Sequence, residues 1–216
     1  MTMWKVAAVV ITIGAAGLTA VLYAGFGAFL PWRENAEADR LADLVGIQEG
    51  QTVAEVGAGG GRFSRILAER VGSHGRVLAT ELAGDAYEAL KSSVAGVSNI
   101  TAVQADREKT NLPDGCCDVL LLRNVYHHVT DPEAFLASLK RSLQPGGRIA
   151  VIDFEPGALM FHGGRPADAS ERRPGHGVSQ QAAAAEFQAA GFRLEQSVSD
   201  WSGPMWLSTF VRIGNR

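Results

Sequence analysis

Cysteine is nearly absent from this chain, and the two that occur, Cys116 and Cys117, are adjacent. Neighbouring Cα atoms lie about 3.8 Å apart, closer than ordinary disulfide geometry allows, so the pair is expected to be reduced. No other Cys or His stands near them at metal-site spacing, which leaves a buried place at the start of a strand. Basic charge is not in excess either. With a formal net charge of −3, no long basic run and no interleaving of basic with aromatic residues, the chain has no electrostatic case for nucleic acid. Two phosphate-binding signatures are also missing from its glycine-rich stretch, Val53-Ala54-Glu55-Val56-Gly57-Ala58-Gly59-Gly60-Gly61-Arg62-Phe63. A P-loop would need Lys followed by Ser or Thr after the last glycine, and a dinucleotide turn would need Gly or Ala where Arg62 and Ser64 stand. A nucleotide-dependent oxidoreductase is contradicted on that ground.

Charge is missing altogether from Val6 to Leu30. At about 1.5 Å rise per residue this run is long enough to cross a bilayer core of roughly 30 Å. Trp4 and Lys5 precede it and Trp32 and Arg33 follow it, as expected for interfacial anchors. The expectation is a single-pass transmembrane anchor over residues 4–32 and one α/β domain over residues 33–216. A secretory signal peptide with Ala36-Glu37-Ala38 as cleavage site is the competing reading, disfavoured by the length of the run. Ala16, Ala20, Ala24 and Ala28 form a small-residue stripe through which two anchors could pack as a homodimer.

Periodicity places the remaining elements. Leu41, Ala42 and Val45 share one face of an amphipathic segment that Gly46 ends, and Phe63, Ile66, Leu67 and Val71 repeat at helical spacing up to Gly72. Further helices are predicted over 83–94, from Asp131 and Pro132 to Leu143, and over 180–190 with Ser179 as cap. Apolar runs between them read as strands, the last two at 192–198 and 205–213. Alternating strands and helices predict an open, mainly parallel sheet covered on both faces.

The glycine stretch reads as a strand entering a turn that opens a helix, where positive φ and unpaired N–H groups let a ligand approach the backbone. Its pattern, Glu55, Gly57, Gly59 and Gly61, resembles motif I of the class I S-adenosylmethionine-dependent methyltransferases. Three later features follow in the order of that family. Arg76 to Glu81 is an apolar run ending in an acid about 20 residues beyond the turn, where this fold class places a ribose-binding carboxylate. Ile100 to Asp106 is another strand ending in an acid. Asp118 to Val129 and Leu143 to Asp153 match the fourth and fifth strands. The resemblance implies a Rossmann-like seven-stranded sheet with its last strand antiparallel and S-adenosylmethionine as cofactor. It also implies a cofactor site of Glu55, Gly57, Gly59, Gly61, Glu81 on the ribose, Asp106 on the adenine amino group, and Asn124.

Methyl transfer from a sulfonium is an in-line displacement, for which a protein chiefly aligns the partners and excludes water. A base is needed when the acceptor must lose a proton, and His127 and His128, just after the fourth strand, are the candidates. They and Asp131 lack the usual helical His spacing of a metal site, so no metal is expected. The stretch from Phe154 to Gly177, broken by glycine and proline and carrying Arg165, Arg172 and Arg173, reads as a lid or as a solvated loop. The function expected is a methyltransferase acting on a small or lipid-soluble acceptor. Its domain faces the cytosol from the inner or cytoplasmic membrane, because the cofactor is made there. The alternative is a non-catalytic cofactor-binding scaffold or sensor tethered to a membrane complex.

Overall fold

The computed structural model describes residues 35–157 and 177–213. The chain divides into two compact units, Met1–Arg40 and Leu41–Arg216, and the fold below is that of the second. Among the described residues no helix is long and apolar enough to cross a membrane. The Val6 to Leu30 run and most of the expected lid, residues 158–176, lie outside the described residues.

Seven strands form one sheet in the order β3-β2-β1-β4-β5-β7-β6. They are β1 (Thr52–Val56), β2 (Arg76–Leu82), β3 (Ile100–Ala105), β4 (Cys117–Arg123), β5 (Leu143–Phe154), β6 (Phe192–Ser202) and β7 (Met205–Arg212). Strands β1 to β5 pair in parallel, whereas β7 is antiparallel to both β5 and β6. The helices are α1 (residues 35–45, of which the part from Leu41 onward belongs to this unit), α2 (Arg62–Val71), α3 (Asp85–Val94), α4 (Pro132–Ser142) and α5 (Gln180–Ala189), with a short 3-10 turn, η1, at Tyr126–His128. The strand order reverses between β1 and β4, and right-handed crossovers therefore send α2 and α3 to one face and α4 to the other.

Both faces are covered, so the central strands are apolar at most positions rather than alternating. Ala54, Val56, Leu120, Leu122, Ile149 and Val151 join the core cluster that includes Phe135 and Leu139 of α4 and Phe187 of α5. The intervening positions, among them Val53, Val119 and Leu121, are equally buried on the side of α2 and α3. Side-chain caps start α4 and α5: Asp131 Oδ1 accepts the Ala134 N–H at 3.0 Å, and Ser179 Oγ accepts the Ala182 N–H at 3.1 Å. Across residues 158–176 the chain is joined directly, because the Val178 N–H donates to the Phe154 carbonyl at 3.0 Å and the Gln180 N–H to Glu155 Oε1 at 2.9 Å. The Trp206 indole N–H, donating to the Val178 carbonyl at 3.0 Å, holds that junction to β7.

Two expectations are corrected. Strand β6 runs on to Ser202, past the predicted end at Val198, because Trp201 is buried and register shifts between Leu194 and Gln196 and between Val198 and Ser202 keep the pairing going to the Gly203 turn. Cys116 and Cys117, expected to be reduced, are joined as a disulfide with a Cα–Cα distance of 3.7 Å. The reason is local: β4 begins only at Cys117, and Cys116 follows Gly115 at φ 60° in the preceding turn. The pleat that would send adjacent side chains to opposite faces is therefore not yet in force.

Candidate functional site

The carboxyl ends of β1, β2, β3 and β4 converge on a cavity of about 380 Å3, within the range of small-molecule sites. This is where the strand order reverses, the usual ligand crevice of open α/β sheets.

The glycine turn makes one wall. Gly57 has φ 70° and Gly59 φ 53°, a backbone region that residues with a Cβ rarely take. A Cβ on Gly57 would lie 2.5 Å from Val125 Cγ2, so the turn can press on the segment after β4 only with glycine there. At Gly59 nothing stands within 4 Å of the same point, and the space above this peptide is open. Its N–H donates to Glu81 Oε2 at 2.7 Å, while Glu81 Oε1 accepts the Leu82 N–H at 2.8 Å. The carboxylate is thereby fixed across the mouth of the turn, and each oxygen keeps a second lone pair for a ligand hydroxyl. Buried Thr80 ties the turn to β2 from below, its carbonyl accepting the Ala58 N–H at 2.8 Å and its Oγ1 the Gly57 N–H at 3.3 Å.

Behind the turn, Glu55 is buried and accepts a hydrogen bond from Ser64 Oγ of α2 at 2.5 Å. Gly61 caps α2 with φ 71°. Neither lines the cavity; they hold β1 against α2, which fixes the direction in which the turn faces. Asp106, exposed just past β3, does line it, with Leu82, Ala105 and Arg107 around it. Its Oδ2 accepts from Asn111 Nδ2 at 3.2 Å, and its N–H donates to the Lys109 carbonyl at 2.8 Å.

The opposite wall is the segment after β4. Asn124 has φ 58°, a conformation that asparagine tolerates better than most residues, and its N–H donates to the Ile152 carbonyl at 2.8 Å. Asn124, Val125 and His128 all line the cavity, and Val129 and Phe135 close it with apolar surface. The two neighbouring histidines are placed differently. His128 is exposed at the cavity, whereas His127 is 5% exposed, with Nδ1 2.8 Å from Oδ1 of fully buried Asp153. Their rings are in tilted contact, with centroids 4.0 Å apart and an interplanar angle of 43°.

Gly57, Glu81, Asp106, Asn124 and His128 are thus brought to one cavity, with the Gly59 N–H at its edge and Glu55, Gly61 and His127 behind it. Sequence reasoning did not single out Thr80, Phe135 or Asp153. Asp153 carries the same signal as Glu81 and Asp106, an acid closing an apolar strand; Phe135 carries none beyond its helical spacing.

Residues 54–151 match the family model described as a methyltransferase domain. Among curated proteins the chain is similar to the ubiquinone/menaquinone biosynthesis C-methyltransferase UbiE of Francisella tularensis subsp. novicida, 30% identical over 132 residues, covering 60% of this chain and 51% of that protein. It is also similar to UbiE of Stutzerimonas stutzeri, 27% identical over 179 residues, covering 79% of this chain and 69% of that protein. The chain spans about half the length of the first of these relatives. Among solved structures, a SAM-dependent methyltransferase from Aquifex aeolicus has the same fold, with a TM-score of 0.67 at 24% identity over 80% of this chain and 87% of that one.

Proposed function

We propose that this chain, a protein with a methyltransferase domain over residues 54–151 and S-adenosylmethionine as methyl donor, methylates a small or lipid-soluble acceptor next to a membrane. The observation that carries the reading is the Gly59 N–H held on Glu81 beneath open space. The residues fit the donor: Glu81 offers two acceptor oxygens to a ribose diol, Asp106 an acceptor to an adenine amino group, and the turn at Gly59 room for close approach. Glu55 and Gly61 fix the turn, and Asn124 faces the same space from the opposite wall.

When bound, the donor supplies an activated methyl group on a sulfonium. What this chain must add is alignment, exclusion of water and a place for the acceptor's proton. His128, at the cavity beside Val125 and Val129, is the residue we assign to receive that proton. The UbiE relatives are named for C-methylation in ubiquinone and menaquinone biosynthesis, which supports an apolar ring as acceptor. An uncharged Val6 to Leu30 run would keep such an acceptor within reach by anchoring the domain to the membrane from the cytosolic side.

The test starts with calorimetry of the purified full chain against S-adenosylmethionine, followed by incubation of the labelled donor with a lipid extract and a soluble extract. Label is expected in the lipid fraction. Absence of binding would refute the reading, and binding without transfer to either fraction would favour the scaffold alternative. Two substitutions refine it. Glu81→Ala should weaken donor binding by about 1–3 kcal/mol through lost charge-assisted hydrogen bonds, read in the same calorimeter. His128→Ala should leave donor affinity within about twofold and lower turnover by about 10²-fold or more, the size of a lost general base.

A further inference from the structure

The segment after β4 supplies one whole wall of the cavity, yet it has no regular structure beyond a single 3-10 turn. What holds it lies underneath. Asp153, fully buried at the end of β5, accepts the His127 backbone N–H on Oδ2 at 3.0 Å and the Phe154 N–H on Oδ1 at 2.9 Å, and its Oδ1 is also 2.8 Å from His127 Nδ1. Two backbone donors already engage both oxygens, so the carboxylate serves as acceptor and Nδ1 carries the hydrogen. His127 is packed against the rings of Phe154, with centroids 4.7 Å apart, and His128, with centroids 4.0 Å apart. Asn124, at φ 58°, is stapled to the same strand one residue earlier, at Ile152.

We infer that Asp153 and His127 form a buried positioning pair, which acts through the His127 Nδ1–H and backbone N–H to hold the segment from Asn124 to Val129 in its ligand-receiving shape. This rests on the methyl-donor reading of the cavity. In this assignment His127 takes no proton from an acceptor; it fixes the peptide that presents His128 and Asn124. A donor that needs the segment in one shape binds more weakly in proportion to the fraction of molecules that have left it.

The pair is tested with three variants of the full chain. His127→Asn keeps an N–H donor near the Nδ1 position but loses ring packing, whereas His127→Leu keeps packing and loses the donor. Asp153→Asn sets an NH2 group against an N–H donor. Calorimetry with S-adenosylmethionine should find His127→Asn within about twofold of wild type, and His127→Leu and Asp153→Asn about tenfold weaker, the effect of leaving a buried donor unpaired. In the ligand-free protein, hydrogen exchange at the His127 amide should be at least about tenfold faster in Asp153→Asn. A packing role gives the opposite order, with leucine tolerated and asparagine weakened. That order, equal affinities for the two His127 variants, or unchanged exchange in Asp153→Asn would overturn the pair. If wild type binds no donor, the methyl-donor reading fails while the exchange measurement still decides the pair; if Asp153→Asn does not fold, the two His127 variants decide it.

Discussion

Valine at position 59 should abolish binding of S-adenosylmethionine. Gly59 has φ 53°, and the point where its Cβ would sit has nothing within 4 Å. The substitution therefore meets no protein atom and instead fills the space above the peptide that faces Glu81. A β-branched residue in the left-handed region also costs about 1–2 kcal/mol, which for a domain of this size lowers the melting temperature by about 2–8 °C. The expected result is a folded protein, slightly less stable, with no detectable heat of binding. Retained affinity would remove the glycine turn from the site. The Gly57 position behaves differently, because a side chain there would collide with Val125 and disturb both walls at once.

Alanine in place of Phe187 should destabilise the domain by about 3–5 kcal/mol, measured by urea unfolding. Phe187 is fully buried on α5, stacked on Phe210 of β7 with centroids 4.1 Å apart, and it touches Phe192 at 5.5 Å and Tyr126 at 5.2 Å. Removing the ring leaves a cavity that neighbours on three elements cannot all move to fill. The loss also reaches the site. Tyr126 belongs to η1, and its hydroxyl donates to Glu186 of α5 at 2.8 Å, so α5 and the cavity wall share a boundary. Donor affinity should fall along with stability, unlike in His128→Ala. A loss under 1 kcal/mol would mean that this aromatic cluster relaxes more freely than its stacking suggests.

The legible parts of this protein are those whose signal is local. Asp131 and Ser179 marked where their helices start, and both side chains make the cap bond. The glycine turn announced itself by spacing, and positive φ occurs at Gly57, Gly59 and Gly61. Glu81 and Asp106 could be placed because each closes an apolar strand, and both reach the cavity. What stayed illegible depends on neighbours far along the chain. Nothing in His127-His128 tells which ring turns inward, since that is decided by Asp153 on the next strand of the sheet. The length of β6 was hidden for a similar reason: its end is set by pairing with β7 and by burial of Trp201, not by its own composition. The cysteine pair misled because the short spacing of neighbouring Cα atoms was taken to exclude a bond, whereas the two are joined at a Cα–Cα distance of 3.7 Å, with Cys116 still in the turn before β4.

The short bridge between Phe154 and Val178 has a consequence for how such a protein can diversify. The sheet and α5 are joined there by the Val178 N–H on the Phe154 carbonyl and by the Trp206 indole N–H on the Val178 carbonyl, so the junction is held by residues on its two flanks. Replacing that intervening stretch with one twice as long would add only about 0.6 kcal/mol of closure entropy. A bond pattern that sits wholly on the flanking residues marks Phe154 and Val178 as the points at which a chain of another length could be spliced in with the junction intact.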